Sequence, residues 1–154
     1  MKKSLCLLLS LVLLLGLCAC GGKEAAKELE PVSLAESLLK GNVFSTKVEE
    51  LPAAALSSFY QMNEADVADA LLYHASGTVK EQIVILKAAD EAAAGNMVTT
   101  LKGLVNGWIE ADRDYAPQEL PKLEKAVLRQ SGVWVVLVIA NDPDTAAKIV
   151  GEYF

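Results

Sequence analysis

Two segments of the chain are apolar at nearly every position, and they constrain the fold more than any other feature. Gln82 to Ala88, QIVILKA, and Val133 to Ala140, VWVVLVIA, have the length and the β-branched content of strands. A strand that is apolar on both faces is typical of the covered centre of a sheet. The sequence therefore predicts a central, covered position for QIVILKA, and VWVVLVIA is the strongest predicted strand.

Further elements are predicted around these strands. Residues 125–130 form a strand that joins VWVVLVIA in a hairpin through the tight turn Ser131-Gly132. Asp90 begins a long helix that ends at residues 115–117, and Asp142 caps a final helix with Pro143 at its first position. The long helix has one apolar stripe. Each of its three glycines lowers helix stability by about 1 kcal/mol relative to alanine. Packing must offset this cost, so we expect the glycines to permit a close approach of the helix to the sheet. The stripe is Met97, Leu101, Leu104, Val105 and Trp108; the glycines are Gly95, Gly103 and Gly107; the buried face of the final helix is Ala146, Ile149, Val150 and Tyr153.

The first half of the domain is less regular. Residues 33–36 form a capping box that starts a helix over residues 33–41, and Gly41-Asn42 ends it. Pro52 is a candidate start of a second helix, and residues 64–76 fit either a helix or an edge strand. The order of elements predicts one small α+β domain with a mostly antiparallel sheet and three or four helices. The apolar faces of the two helices are Leu34, Leu38 and Leu39, and Ala55, Leu56, Phe59 and Tyr60.

The N-terminus has the pattern of an export signal. Residues 1–19 begin with two lysines, continue as an apolar run and contain no acid. The run is about 15 residues long, and a spanning helix needs about 20. All 20 acidic residues lie after residue 19, which gives that part of the chain a net charge of −8. We therefore expect residues 1–19 to be a signal peptide, residues 20–32 a flexible tether closed by Pro31, and residues 33–154 the domain.

The boundary between the signal peptide and the tether reads Leu17-Cys18-Ala19-Cys20, which resembles a bacterial lipobox. That resemblance implies cleavage between Ala19 and Cys20 and a diacylglyceryl group on the Cys20 sulfur. Cys18 fits poorly because Leu17 would occupy the position of the small residue. The expected partner is membrane lipid, bound through acylated Cys20 on the extracytoplasmic face of the cell membrane, because two acyl chains give stable anchoring.

Composition excludes several classes of function. The three cysteines all lie in the first 20 residues, so the domain has no disulfide, thiol nucleophile or thiolate metal site. It has one histidine and two arginines, and its acidic balance argues against nucleic acid as a partner. No phosphate-binding loop or cofactor motif is present in the sequence, so no cofactor, catalytic residue or metal ligand is predicted.

Several residues are of types that form functional sites, but their positions favour a structural role. His74 is expected to be a packed or surface residue, and Glu110, Asp112 and Asp114 a solvated helix terminus without calcium-loop spacing. Residues 141–145 are explained by a helix cap. Ser57, Ser58 and Ser131 lack the setting of a nucleophile, and Trp108 and Trp134 are expected in the core instead of on a stacking platform.

The order of motifs resembles the domain of unknown function 4358 family. The resemblance rests on Ser76-Gly77, on residues 83–90, on residues 115–127, on residues 132–138 and on the final Tyr153-Phe154, and it covers roughly residues 33–154. Members are mostly lipoproteins of Gram-positive, Clostridia-type bacteria, so the resemblance implies a small exported α+β domain. It brings no activity or site residues, and it favours a strand over residues 69–75.

The sequence thus predicts a membrane-anchored lipoprotein whose domain is a non-catalytic binding or structural module of unknown ligand. One alternative is a small extracytoplasmic hydrolase that uses carboxylates, with two of them converging in a cleft. The other is a subunit of an envelope complex that pairs through a sheet edge.

Overall fold

The computed structural model describes residues 29–154, so the predicted signal peptide and most of the predicted tether lie outside the described residues. Five strands form one sheet in which every neighbouring pair is antiparallel, in the order β1-β2-β3-β5-β4. The strands are β1 (Val48–Glu50), β2 (Val67–Ala75), β3 (Gln82–Ala88), β4 (Val127–Ser131) and β5 (Trp134–Ile139). The two apolar segments are β3 and β5, which pair with each other, and the central position predicted for QIVILKA is confirmed.

Helices cover both faces of the sheet, which gives the α+β domain three layers. Val84 and Leu86 of β3 contact the core beneath α2, α3 and α4, whereas Ile83 and Ile85 contact the core beneath α1 and α5. Alternate residues of a strand point to opposite faces, so a strand apolar throughout fits between two layers. The helices are α1 (Pro31–Lys40), α2 (Ala55–Tyr60), α3 (Glu91–Tyr115), α4 (Leu120–Glu124) and α5 (Pro143–Gly151), with 3₁₀ turns at Glu64–Asp66 and Pro117–Glu119.

The long helix α3 packs through its predicted stripe. Met97, Leu101 and Val105 are buried, while Leu104 and Trp108 are half-buried at its margin. The expectation that the glycines permit a close approach to the sheet is wrong. A Cβ atom added at Gly95, Gly103 or Gly107 would meet nothing within 4 Å, because these residues lie on the outer side of the helix.

The first helix begins earlier than the predicted Ser33. Leu29 is buried in the core, and α1 starts at Pro31, where proline's missing N–H costs no helical hydrogen bond. The predicted capping box is absent, since Glu30 is the N-cap and makes no side-chain cap bond. Ser33 contributes its carbonyl oxygen to the hydroxyl of Tyr153 at 3.0 Å, which links α1 to the residues after α5.

The ambiguous residues 64–76 form a 3₁₀ turn followed by β2, so the strand implied by the family resemblance is confirmed. Phe59 was expected on the apolar side of α2 but is 55% exposed. The sequence did not predict β1 or α4. The predicted strand 125–130 starts later, at Val127, because α4 extends as far as Glu124. Gly132 closes the predicted hairpin with a φ of 53°, a conformation that favours glycine.

Within residues 29–154, no helix has both the length and the apolar content needed to cross a membrane.

Candidate functional site

Five charged side chains meet at the end of the sheet where β3 begins, and we call them the buried charge cluster. Lys80 and Glu81 directly precede β3, Asp112 lies in the last turn of α3, Glu119 ends the second 3₁₀ turn and Lys122 lies in α4. Glu81 is completely buried, Asp112 is 3% exposed and Glu119 is 5% exposed. Carboxylates are almost never buried to this degree unless they are paired.

Glu81 is the centre of this cluster. Its carboxylate accepts hydrogen bonds from the backbone N–H of Ser45 at 2.9 Å, from that of Thr46 at 3.1 Å and from the Ser45 hydroxyl at 2.5 Å. Its Oε1 atom lies 3.0 Å from Nζ of Lys122. Burial raises the pKa of Glu81, but the hydrogen bonds from Ser45, Lys122 and Thr46 and the charge of Lys122 together outweigh burial and hold the pKa below its ordinary 4.5. The group is therefore ionised at neutral pH.

The remaining members continue the chain of contacts. Nζ of Lys122 lies 3.2 Å from Oε1 of Glu119, whose Oε2 accepts the backbone N–H of Lys80 at 2.9 Å. Nζ of Lys80 lies 3.3 Å from Oδ2 of Asp112. The cluster thereby ties the loop after α1, the start of β3, the end of α3 and α4 to one another. Among the described residues, Oδ2 of Asp112 is buried and has no hydrogen-bond partner, so its contact with Lys80 is an ion pair alone. The charges of the cluster are thus paired with one another, as in a fold-stabilising network.

Sequence reasoning missed this cluster and misplaced one of its members. Glu110 and Asp114 are exposed as predicted, but Asp112 is buried, so the interpretation of all three as a solvated helix terminus is wrong for Asp112. The reason is helical geometry, since Asp112 follows Val105 by seven residues and shares its inward face. That spacing, together with Lys80-Glu81 at the start of an apolar strand, is the only signal in the sequence that bears on the cluster.

The lone histidine lies at the end of β2 and is half-buried. Its Nδ1 atom is hydrogen-bonded to the carbonyl oxygen of Ala75, and its ring centroid lies 5.9 Å from that of Phe59. Because a carbonyl oxygen only accepts, Nδ1 is the donor in this hydrogen bond. His74 is a packed residue, as predicted.

The serine and tryptophan candidates have structural surroundings. The Ser57 and Ser58 hydroxyls both donate to the carbonyl oxygen of Ala54, at 3.3 and 3.2 Å. Trp134 is buried in the core beneath α1 and α5, with Nζ of Lys87 lying 5.2 Å from its ring centroid. The core interpretation is confirmed for Trp134, whereas Trp108 is only partly covered.

The predicted helix cap at residues 141–145 is confirmed. Asp142 accepts the backbone N–H of Thr145 at 3.0 Å, and Pro143 begins α5. Across residues 29–154, no three side chains of His, Cys, Asp or Glu are arranged to hold a metal ion. Ala19 and Cys20, the residues predicted for cleavage and lipidation, lie outside this range.

Four concave surfaces of the described part lie away from the buried charge cluster. A groove of about 400 Å³ runs between the start of α2 and the first half of β2. A second groove, of about 300 Å³, lies between α3, α4 and the edge strand β4, and we call it the β4 groove. Two further depressions, of about 460 and 320 Å³, flank Gly103 on α3 and His74 on β2 respectively. None of these four surfaces is lined by a member of the buried charge cluster.

Comparisons with known proteins bear on the family. Neither the curated proteins nor the solved structures contain a match to this chain. Residues 42–140 match the family described as domain of unknown function 4358, and this range holds all five strands and the buried charge cluster. The resemblance noted in the sequence is confirmed, and the chain belongs to the domain of unknown function 4358 family.

Proposed function

We propose that this protein is an exported lipoprotein, held at the extracytoplasmic face of the membrane by lipid on Cys20, whose domain is a non-catalytic binding module. The basic start, the apolar run and Leu17-Cys18-Ala19-Cys20 support the anchor. Two acyl chains on one cysteine supply stable membrane attachment, whereas a single chain gives only marginal binding.

The engagement of the buried carboxylates supports the non-catalytic part of this proposal most directly. Glu81 and Glu119 share Lys122, and Asp112 contacts Lys80, so these acids neutralise lysines inside the domain. The rival hydrolase needs two carboxylates that converge in a cleft, at least one with a raised pKa. The pKa of Glu81 is lowered, and Glu81 lines none of the four concave surfaces.

The position of Leu29 supports a short connection between anchor and domain. Leu29 is 4% exposed and belongs to the core beneath α1 and α5. Leu29 follows Cys20 by nine positions, with eight residues between them, and an extended chain over nine positions spans at most about 30 Å. A lipid on Cys20 would therefore keep the domain within about 30 Å of the membrane surface, where it can meet other envelope components.

Metabolic labelling tests the proposed anchor. Cells that express the full chain are grown with a labelled fatty acid, and label and membrane association are measured for the wild type, Cys20→Ala and Cys18→Ala. We expect Cys20→Ala to lose both label and membrane association. Cys18→Ala is the matched control and should keep both, because Ala19 and Cys20 are unchanged. Label that persists in Cys20→Ala would refute the proposal.

A further inference from the structure

The two edges of the sheet are protected to different degrees. At one edge, β1 has only three residues, a bulge interrupts β2 between Val67 and Asp69, and Oδ1 of Asp69 accepts the N–H of Ala70 at 2.9 Å. Short strands, bulges and charges at an edge prevent pairing with other chains. At the other edge, β4 pairs with β5 over five residues in unbroken register, and no strand among residues 29–154 lies on its outer side. Residues 67–71 of β2 also have no strand on their outer side, but the bulge interrupts them, so the β4 edge is the more regular of the two.

Backbone groups of β4 face outward along this edge. Ser131 and Trp134 flank the two-residue hairpin turn, and pairs in an antiparallel ladder alternate between bonded and non-bonded. The alternation assigns Arg129 to a bonded pair with Val136. The N–H and C=O groups of Leu128 and Gln130 consequently point away from β5. A row of such groups is complementary to another extended backbone.

The β4 groove lies directly beside these backbone groups. It has a volume of about 300 Å³ and lies on the α3 side of the sheet. Leu128 belongs both to the edge strand and to the groove lining, so a strand added beside Leu128 would direct a side chain of the same face into the groove. The apolar lining residues are Val105, Ile109, Leu123, Ala126, Leu128 and Leu137.

Charge at this edge differs from that of the whole chain. Arg129 is exposed and shares the face of Val127, opposite to the β4 groove. Lys102 lines the groove, and neither cation forms an ion pair with any described residue; Glu124 is the one carboxylate of the lining. In a chain whose part after residue 19 carries −8, Arg129 therefore selects an acidic side chain on the added strand.

We infer that the β4 edge and the β4 groove bind an extended segment of a partner protein by strand addition, with an apolar side chain in the groove and an acidic side chain beside Arg129. The inference rests on the proposed binding function and names its surface and the chemistry of its ligand. A second copy fits less well. Pairing of two β4 edges would bring both Arg129 side chains to one face of the joined sheet, and β4 itself has no carboxylate.

Two matched peptides test this inference on the full chain in detergent micelles. Each has seven residues and blocked ends; in one, valine alternates with glutamate, and in the other with lysine. Amide NMR signals and hydrogen exchange are followed at Leu128 and Gln130. We expect the glutamate peptide to shift these signals and slow their exchange, and to bind about two- to fivefold more tightly than the lysine peptide, as an exposed ion pair would contribute. The negative net charge of the chain would favour the lysine peptide, so tighter binding of the glutamate peptide cannot result from net charge.

Variants separate backbone pairing from charge. Gln130→Pro removes an outward N–H and should abolish the response, whereas Gln130→Ala keeps the N–H and should retain it. Arg129→Glu should reverse the order of the peptides, which keeps the inference testable if Gln130→Pro fails to fold. The inference would be overturned if the two peptides bound equally or if the shifts were confined to other surfaces. It would also be overturned if, without peptide, these amides were already protected to a degree that rises with protein concentration. None of these readouts requires lipid on Cys20, so failure here is distinct from failure of the anchor.

Discussion

Nζ of Lys122 lies 3.0 Å from Oε1 of Glu81, and the two side chains are 13% and 0% exposed. The same ammonium group lies 3.2 Å from Glu119, so one lysine of α4 neutralises two acids from different parts of the chain. Because Glu81 also binds the loop at Ser45 and Thr46, this lysine holds together segments that have no sequence proximity. Lys122 therefore stabilises the end of the sheet where β3 begins.

Lys122→Met is therefore expected to be strongly destabilising. It keeps the length of the side chain and removes the charge, which leaves two buried carboxylates without their cation. Breaking a buried pair in this way costs about 3–5 kcal/mol. Urea unfolding measures the loss. Lys125→Met is the control, since its 3.6 Å contact with Asp144 is exposed and should contribute less than about 1 kcal/mol. Equal losses in the two variants would contradict the account of the cluster.

Stability should depend on pH through Glu81. Its pKa in the folded state lies below the ordinary 4.5, so its contribution is fully present above that value. The contribution is lost as the pH falls below 4.5 and through the lower folded-state pKa. The difference in unfolding free energy between the wild type and Glu81→Gln should thus be constant near neutral pH and shrink in acid. A difference that grows as the pH falls would mean that the pKa of Glu81 is raised instead.

A second buried polar pair gives an independent prediction. The hydroxyl of Tyr60 donates to Oε1 of Gln82 at 2.8 Å, and both side chains are buried, which raises the pKa of Tyr60. Tyr60→Phe leaves the amide oxygen without its partner and should cost about 1–3 kcal/mol. Tyr115→Phe removes the same atom from a side chain that is 77% exposed, and thermal unfolding should detect little change. If Tyr60→Phe leaves the unfolding free energy unchanged, Gln82 must find another hydrogen-bond donor.

The outward glycines of α3 predict a stabilising substitution. A Cβ atom at Gly103 would meet nothing within 4 Å, so Gly103→Ala should raise the unfolding free energy by about 0.5–1 kcal/mol. Gly132→Ala should have the opposite sign, because its φ of 53° is strained for alanine. Both are measured by thermal unfolding. A Gly103→Ala variant with a lowered melting temperature would mean that the outer face of α3 is covered.

Elements with a strong local signal were predictable. QIVILKA coincides with β3, because a strand between two layers is apolar at nearly every position. Asp90 and Asp142 begin their helices because each carboxylate accepts a first-turn N–H. The strand β2 was ambiguous because some of its residues, such as Ala68 and Asp69, are exposed and interrupt the apolar pattern. Three residues of β1 are too few to show a period.

The buried charge cluster was beyond prediction from one sequence. In the sequence its members have the pattern of ordinary solvated charges, because only the folded sheet brings them together. These members are Lys80, Glu81, Asp112, Glu119 and Lys122. The open β4 edge was likewise foreseeable only as a possibility, since strand order decides which strand lies outside. The proposed lipobox is a prediction from the sequence alone, because Ala19 and Cys20 lie outside the described residues.

Mass spectrometry of the N-terminal peptide tests the central claim most directly. The protein is isolated from the membranes of cells that express the full chain and is digested, and the first peptide is identified. The account predicts a peptide that begins at Cys20 and carries the mass of a diacylglyceryl group on its sulfur. A peptide that begins at Met1, or one that begins at any residue other than Cys20 without lipid, would contradict it.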